Sequence, residues 1–147
     1  MHYLFISLIM LFFPLSLTSN NDGLKEETLE TETIEEIGIV TVTTYKASAG
    51  ETDDTPNVTA SGFKISKRNP KKHRIIAVSR DLKRKLKFGQ RVKVVGAGKY
   101  NGEYVVRDVM NKRYRKHIDI LINSKDKQTK FSKVKIYKIK SKQNLDL

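Results

Sequence analysis

The chain has 147 residues, no cysteine, and 29 Lys and Arg residues against 16 Asp and Glu residues, which gives a formal net charge of +13. The missing cysteines exclude a disulfide framework, a thiol nucleophile, a thiolate metal site and a lipid-modified cysteine. A chain of this length provides one domain with a single modest core.

The N-terminal region resembles an export signal followed by a tether. Residues 3 to 17 form an apolar run, which Pro14 interrupts and small polar residues follow. This pattern predicts a signal peptide over residues 1 to 19 and export to the periplasm or the cell envelope. The alternative is a buried helix or an uncleaved membrane anchor, although about 15 apolar residues are few for a membrane span. Residues 20 to 37 are acidic with few apolar side chains and predict a linker.

The positive charge is concentrated in the rest of the chain. From Gly38 onward, 28 Lys and Arg residues stand against nine acidic residues, a net charge of +19. A field of this sign attracts polyanions, which outside the cytoplasm are acidic cell-wall polymer, lipopolysaccharide or an anionic membrane surface. Nucleic acid is the usual partner of a cytoplasmic protein with this charge, and the predicted export argues against it. The alternative is that the lysines only keep the surface solvated.

Residues 38 to 147 are predicted to form one domain of short strands. β-Branched and aromatic residues predict a first strand from Gly38 to Tyr45, and turn-forming residues predict an ordered loop over residues 47 to 57. Five further strands are predicted over residues 74–78, 91–95, 103–108, 117–122 and 133–139. Asn101-Gly102 favours a tight hairpin turn between two of them.

One short helix is predicted between the second and third strands. Ser79 is a candidate N-cap, and Leu82 and Leu86 lie four positions apart. Six short strands with one small helix are typical of a closed barrel. The sequence therefore predicts an all-β fold, a six-stranded barrel with one short helix.

Asp119 is the most informative acidic residue. Three isoleucines alternate along residues 117–122 and are expected to fill the core, so Asp119 lies on the opposite face with His117 and Leu121. A carboxylate held on a rigid strand is well placed for catalysis. The alternative is a solvated or salt-bridged aspartate among the basic residues of the preceding segment.

Two further observations concern the same region. Asp108 ends the preceding predicted strand, where the alternative to a functional role is a turn acid that binds nearby backbone amides. His117 and Asp119 are spaced like two metal ligands, but the spacing fixes no third ligand. No metal and no other cofactor is therefore predicted.

Five segments resemble, in their order and spacing, the three-aspartate domain family. They are Thr-Ala-Ser-Gly at 59–62, Ile-Ile-Ala-Val-Ser-Arg-Asp at 75–81, Phe-Gly at 88–89, Val-Val-Arg-Asp-Val-Met-Asn at 105–111 and His-Ile-Asp-Ile at 117–120. The resemblance extends from residue 42 to residue 139. It implies a double-psi β-barrel, the fold also seen in rare lipoprotein A and in the catalytic domain of membrane-bound lytic transglycosylase A.

The resemblance implies roles for the acidic residues. Asp108 and Asp119 stand at two of the aspartate positions of the family, and the later aspartate is catalytic in the lytic transglycosylases that the chain resembles. This implies that Asp119 is the catalytic acid and that Asp108 supports it. Ser79 occupies the position of the family's first aspartate. Asp81, two residues later, is either a shifted substitute that contributes to substrate binding or an acid in the first turn of a helix.

The resemblance also implies a sugar-binding stretch. Thr59, Ser61 and Gly62 match the family pattern Thr-x-Ser/Thr-Gly, so that the two hydroxyl groups could bind sugar or acetamido groups while the glycine permits close backbone approach. The alternative is a simple turn that leads into a strand.

Two functions follow as expectations, with a third that is less favoured. The first is an exported lytic transglycosylase of peptidoglycan, in which Asp119 must hold a proton near neutral pH and then act as a base. The second is a non-catalytic module that binds peptidoglycan through its basic surface. The third is a basic protein that docks on acidic lipid or on nucleic acid.

Overall fold

The computed structural model describes residues 32–48 and 57–141. The predicted signal peptide, residues 20–31 of the predicted linker and most of the predicted loop over residues 47–57 lie outside this part of the chain. Within it, no helix is long and apolar enough to cross a membrane.

Six strands close into a β-barrel. In chain order they are β1 (Glu32–Lys46), β2 (Ile75–Val78), β3 (Arg91–Val95), β4 (Gly102–Val109), β5 (His117–Ile122) and β6 (Lys130–Ser141). Around the barrel they follow the order β1-β5-β2-β4-β3-β6, and β6 pairs with β1. The β1–β5 and β2–β4 pairs are parallel and the other pairs are antiparallel. The predicted six-stranded all-β barrel is confirmed, and this strand order is compatible with a double-psi barrel.

Alternate residues of the strands fill the interior of the barrel. Ile118, Ile120 and Ile122 of β5 are each at most 1% exposed and pack against Val92 and Val94 of β3 in one cluster. Burying one such side chain contributes about 1.5–3 kcal/mol to folding. The predicted assignment of the three isoleucines to the core is therefore confirmed.

A single 3-10 turn, Leu82–Arg84, stands where the short helix was predicted. The Leu86 amide donates to the Leu82 carbonyl at 2.9 Å, and both leucines are buried in the barrel core. The Ser79 hydroxyl does not cap this turn, because it accepts the amide of His117 at 3.1 Å. Without a cap and with so few residues, a regular α-helix does not offset its nucleation cost.

β1 begins at Glu32, although the sequence predicted a strand only from Gly38. The added residues pair with β6 and present their acidic side chains to cations. Glu35 forms an ion pair with Lys140 at 2.6 Å, and Glu32 forms one with Arg91 of β3. From Glu32 onward, the acidic residues that suggested a linker therefore form part of β1 and stabilise its pairing with neighbouring strands.

The connection between β3 and β4 is wider than a two-residue hairpin. A 3-10 turn, Gly98–Tyr100, lies within it. The side-chain Oδ1 of Asn101 accepts the amides of Gly96 at 2.9 Å and Ala97 at 2.7 Å. Asn101 therefore closes this loop through its side chain.

A second, smaller cluster lies outside the barrel. The segment 57–66 covers part of the outer surface and is attached by the Ser61 amide, which donates to the carbonyl of Arg107 at 3.1 Å. Ile65 of this segment packs with Tyr45, Ala77 and Leu121. The outer face of β5 is therefore partly covered, and this covering layer forms one wall of the candidate site.

Candidate functional site

Strand pairing places the two predicted aspartates in one row across the outer face of the barrel. Ala77 of β2 is the partner of Asp119 in the β2–β5 pair and of Asp108 in the β2–β4 pair. Thr43 of β1 is the partner of Asp119 on its other side. Since neighbouring strands are about 4.8 Å apart, the Cα atoms of Asp108 and Asp119 are separated by roughly 10 Å. The two carboxylates flank the small methyl group of Ala77.

A β-bulge aims Asp108 at this row. Val106 points into the core, and strict alternation would point Asp108, two residues later, into the core as well. The pairing with β2 instead shifts, so that Ile76 lies opposite Val106 while Ala77 lies opposite Asp108. The extra residue, Arg107, turns Asp108 outward, which is a common use of bulges beside functional sites.

Asp108 is anchored to backbone amides. Its Oδ1 accepts the amide of Ala60 at 3.0 Å and the amide of Val109 at 2.9 Å. The first bond ties the segment 57–66 to the barrel. Binding to nearby amides was the structural alternative for this residue, and here it also shapes the wall of the site.

Asp119 is half-buried and is held by side chains. Its Oδ1 accepts the hydroxyl of Thr43 at 2.8 Å, and the same hydroxyl oxygen lies 2.9 Å from Nε2 of His117. Burial lowers the pKa of His117, and the positive charge of Lys130 acts in the same direction. The imidazole is therefore neutral at neutral pH.

Tyr45 places a buried phenol beside both carboxylates. Its hydroxyl lies within reach of the Asp108 carboxylate, although the contact falls short of strict hydrogen-bond geometry. Burial, together with the negative charges of Asp108 and Asp119, raises the pKa of Tyr45 far above its usual range. The site therefore contains an O–H donor that keeps its proton.

The row opens into a cleft of about 590 Å³. Its walls combine apolar side chains from the covering segment and from β2 with polar and cationic side chains from the turn after β2 and from the segment between β4 and β5. The lining residues are Tyr45, Val58, Ala60, Ile65, Ala77, Arg80, Asp108, Val109, Met110, Asn111, Arg113, Tyr114 and Asp119.

A second cleft of about 680 Å³ adjoins the first. The two share Tyr45, Arg113, Tyr114 and Asp119. The residues that line only the second cleft are Thr43, Thr44, Gln128, Thr129 and Lys130. Asp119 thus stands in the wall that the two clefts have in common.

Thr59, Ser61 and Gly62 form a turn beside the first cleft. The Thr59 hydroxyl lies 3.0 Å from that of Ser61 and accepts the amide of Phe63 at 3.2 Å. Gly62 has a φ of 80°, a left-handed conformation that favours glycine. Of this stretch, Ala60 lines the cleft. Sugar binding by Thr59, Ser61 and Gly62 stays a prediction.

Ser79 and Asp81 line neither cleft. Asp81 accepts the amide of Lys116 at 2.9 Å and thereby fixes the segment that enters β5. Partial burial acts to raise the pKa of Asp81, but the nearby Ser79 hydroxyl and the Lys116 amide outweigh it and hold the pKa below its usual range. Arg80, between Ser79 and Asp81, does line the cleft. A substrate contact by Asp81 stays a prediction.

Sequence reasoning did not identify Thr43, Tyr45, Ala77, Arg113 or Tyr114. Alternation in β1 does place Thr43 and Tyr45 on one face, which is the only local signal for them. Their link to Asp119 depends on the parallel pairing of β1 with β5, two strands that are distant in the sequence.

Among the residues that the structure describes, no group of three or more His, Cys, Asp or Glu side chains lies together as a metal site would require. No protein-family model, no curated protein and no solved structure matches this chain. Its function is therefore argued from the geometry of the site.

Proposed function

We propose that this protein is an exported cell-wall enzyme of the three-aspartate type, a lytic transglycosylase that cleaves the glycan strands of peptidoglycan. The observation that carries the proposal is the position of Asp119 in the wall shared by two adjoining clefts. A polymer that occupies both clefts would place a glycosidic bond over this carboxyl group. Asp108 lies in the same row, beyond Ala77.

One carboxyl group suffices for this reaction. Asp119 as an acid protonates the leaving glycosidic oxygen, and the 6-hydroxyl of the same sugar attacks the anomeric carbon. The carboxylate then takes the proton from that hydroxyl, which closes a 1,6-anhydro ring and restores the acid. An ordinary glycosidase needs two carboxylates that flank the bond. Asp108, with Oδ1 bound to two backbone amides, is suited to shaping the site.

The remaining lining residues suit an acidic, hydroxyl-rich substrate. Arg80 and Arg113 bring positive charge to the first cleft and would attract the carboxylates of peptidoglycan. Gln128 and Lys130 bring an amide and an ammonium group to the second cleft. The wider basic surface leaves an anionic membrane surface as a further partner, and no nucleic acid is expected.

The test is the release of 1,6-anhydro muropeptides from sacculi, measured by mass spectrometry. Purified protein is expected to release them, and Asp119→Asn is expected to lower the rate at least about 100-fold because the acid is lost. Asp126→Asn is the matched control, since Asp126 accepts only a local amide, that of Asn123, at 3.3 Å in the structure and lines neither cleft. Intact glycan at every pH tested would overturn the proposal.

A second candidate is a peptidoglycan-binding module without catalysis. It is favoured by Ser79, which stands at the position of the family's first aspartate and is buried against the backbone of His117. Of the carboxylates that the structure describes, those of Asp108 and Asp119 line the two clefts. This candidate predicts that wild type and Asp119→Asn bind sacculi equally and release nothing.

A further inference from the structure

We propose that Thr43 and His117 are positioning residues that determine which oxygen of Asp119 carries the acidic proton. The inference rests on the proposed function, because it concerns the carboxyl group assigned to catalysis. It is carried by the hydrogen-bond chain from His117 through Thr43 to Asp119.

The parallel pairing of β1 with β5 builds this chain. Thr43 is the register partner of Asp119, and Thr41 is the register partner of His117. His117 and Asp119 lie two residues apart, so their side chains share one face of β5. The hydroxyl of Thr43 therefore lies between them, 2.9 Å from Nε2 of His117 and 2.8 Å from Oδ1 of Asp119.

When Asp119 is ionised, counting the protons fixes the direction of the chain, because both oxygens of a carboxylate can only accept. A threonine hydroxyl has one proton to donate, and Thr43 donates it to Oδ1 of Asp119. The bond to His117 then requires a proton on Nε2, donated to the Thr43 oxygen. A neutral imidazole has one N–H, so this ring has its proton on Nε2 and none on Nδ1.

The chain has a consequence for the acid. Because the Thr43 hydroxyl occupies Oδ1 of the ionised carboxylate, the proton that Asp119 takes up before it protonates the leaving oxygen goes to Oδ2. His117 supports this arrangement indirectly, because its N–H occupies a lone pair of the Thr43 oxygen and turns the hydroxyl proton toward Asp119.

Several charged and titratable groups face the chain from neighbouring elements. Burial lowers the pKa of His117, and the charge of Lys130 of β6 adds to this effect. Arg113 and Tyr114, from the segment before β5, line both clefts beside Asp119. On the side of β1 and β4, Tyr45 and Asp108 face the same carboxyl group. A pH profile must therefore be compared between variants that leave these groups in place.

The first test is nitrogen NMR of the full-length protein. His117 is expected to carry its proton on Nε2, and the imidazole signals are expected to change in Thr43→Val. His73 is an internal control, because its Nε2 accepts the amide of Ser66 at 3.0 Å and its proton must lie on Nδ1. The variants His117→Gln and His73→Gln assign the signals. A proton on Nδ1 of His117, or His117 signals unchanged by Thr43→Val, would overturn the proposal.

The second test is kinetic. Thr43→Val removes a hydrogen bond to a charged group and is expected to lower kcat roughly 10- to 100-fold with little change in KM. The lost bond favoured the charged form, so the high-pH limb of the rate profile should move to higher pH. Thr43→Ser keeps a hydroxyl and should restore both values. Thr41→Val, on the same strand, is the matched control.

The two tests separate this inference from the proposed function. If sacculi are not cleaved but Thr43 controls the His117 signals as expected, the proposed function fails and the hydrogen-bond chain stands. If sacculi are cleaved and Thr43→Val keeps the wild-type kcat and pH profile, the proposed function stands and the positioning role fails.

Discussion

Asp108 and Asp119 line the same cleft but are held in different ways. Asp108 accepts two backbone amides, so its carboxylate is part of the local architecture. The carboxylate of Asp119 instead accepts the side-chain hydroxyl of Thr43. We therefore expect substitution of Asp108 to lower mainly the stability of the fold and substitution of Asp119 to lower mainly the catalytic rate.

Asp108→Ala should destabilise the fold more than it changes the chemistry. The amides of Ala60 and Val109 lose their acceptor; because the first is exposed and the second only partly buried, each lost bond costs about 0.5–1.5 kcal/mol. The expected result is a lower free energy of unfolding in denaturant and faster hydrogen exchange at the Ala60 amide. Asp108→Asn retains an acceptor oxygen and should cost less. Equal stability of Asp108→Ala and wild type would contradict this assignment.

His117 should make stability depend on pH. Its folded pKa lies below the ordinary value of 6.5, so the unfolded chain binds a proton first as the pH falls. The contribution is therefore fully present above about pH 6.5 and is lost as the pH falls toward the folded pKa. Chemical denaturation as a function of pH should show this loss in wild type and less of it in His117→Gln. His73→Gln is the matched control; a loss equal in both variants would contradict the prediction.

At the scale of elements, the site depends on how strands pair. The bulge in β4 turns Asp108 outward, and the parallel β1–β5 pair brings Thr43 to Asp119. Ala77 lies at the centre of the row, where its small side chain leaves room between the carboxylates. The size of this one residue therefore controls access to both aspartates.

Ala77→Leu should block the cleft while the barrel still closes. The larger side chain would occupy the space between Asp108 and Asp119 and lower glycan release at least about tenfold through misplacement of the substrate. Overpacking of the second cluster should cost about 1–3 kcal/mol. Ala77→Ser is a control of similar size and should release products at the wild-type rate. Activity of Ala77→Leu equal to that of Ala77→Ser would place the substrate elsewhere.

The sequence predicts regular strands well and their pairing poorly. The bounds of β3 and β5 match their predicted ranges, because β-branched core residues recur at every second position along both strands. β1 and β6 extend beyond prediction, since ion pairs such as Glu35 with Lys140 arise only from tertiary contact. The short helix predicted from Leu82 and Leu86 is present as a single 3-10 turn, because the two leucines reach the barrel core from one turn.

The candidate site, too, was predictable where it depends on one strand and not where it depends on strand pairing. Alternation along β5 alone was enough to place Asp119 on the face opposite the core. It could not reveal the role of Thr43 or Tyr45, which belong to a strand that is distant in the sequence. It also could not show that Asp81 fixes the Lys116 amide, because that contact depends on the folded path of the segment before β5.

At the scale of the whole molecule, the positive charge extends far beyond the two clefts, in which Arg80, Arg113 and Lys130 carry a small part of it. The net charge of +19 from Gly38 onward is spread over many lysines, and β3 and β6 expose Lys93, Lys133 and Lys135. A field of this kind mainly raises the rate of encounter with polyanions. Under the proposed function, the cleft then recognises the sugar.

Binding to sacculi should therefore weaken steeply with salt. Raising NaCl from 0.1 M to 1 M shortens the Debye length from about 10 Å to about 3 Å and screens the exposed lysines. Co-sedimentation should show the loss for wild type and Asp119→Asn alike. A neutral glycan such as chitin is the control, and its binding should change little. Salt-independent binding to sacculi would show that the charge has no part in recognition.

The row Thr43–Asp119–Ala77–Asp108 also links chemistry to the order of folding. The Thr43–Asp119 bond joins residues 76 positions apart, and the Ala60–Asp108 bond joins residues 48 positions apart. Closing loops of this length and forming parallel strand pairs are slow steps, so the row is complete only when the barrel is complete. In an unfolded chain the two aspartates are present, but Thr43 and the cleft are not assembled around them. The proposed activity would therefore arise only after folding is complete.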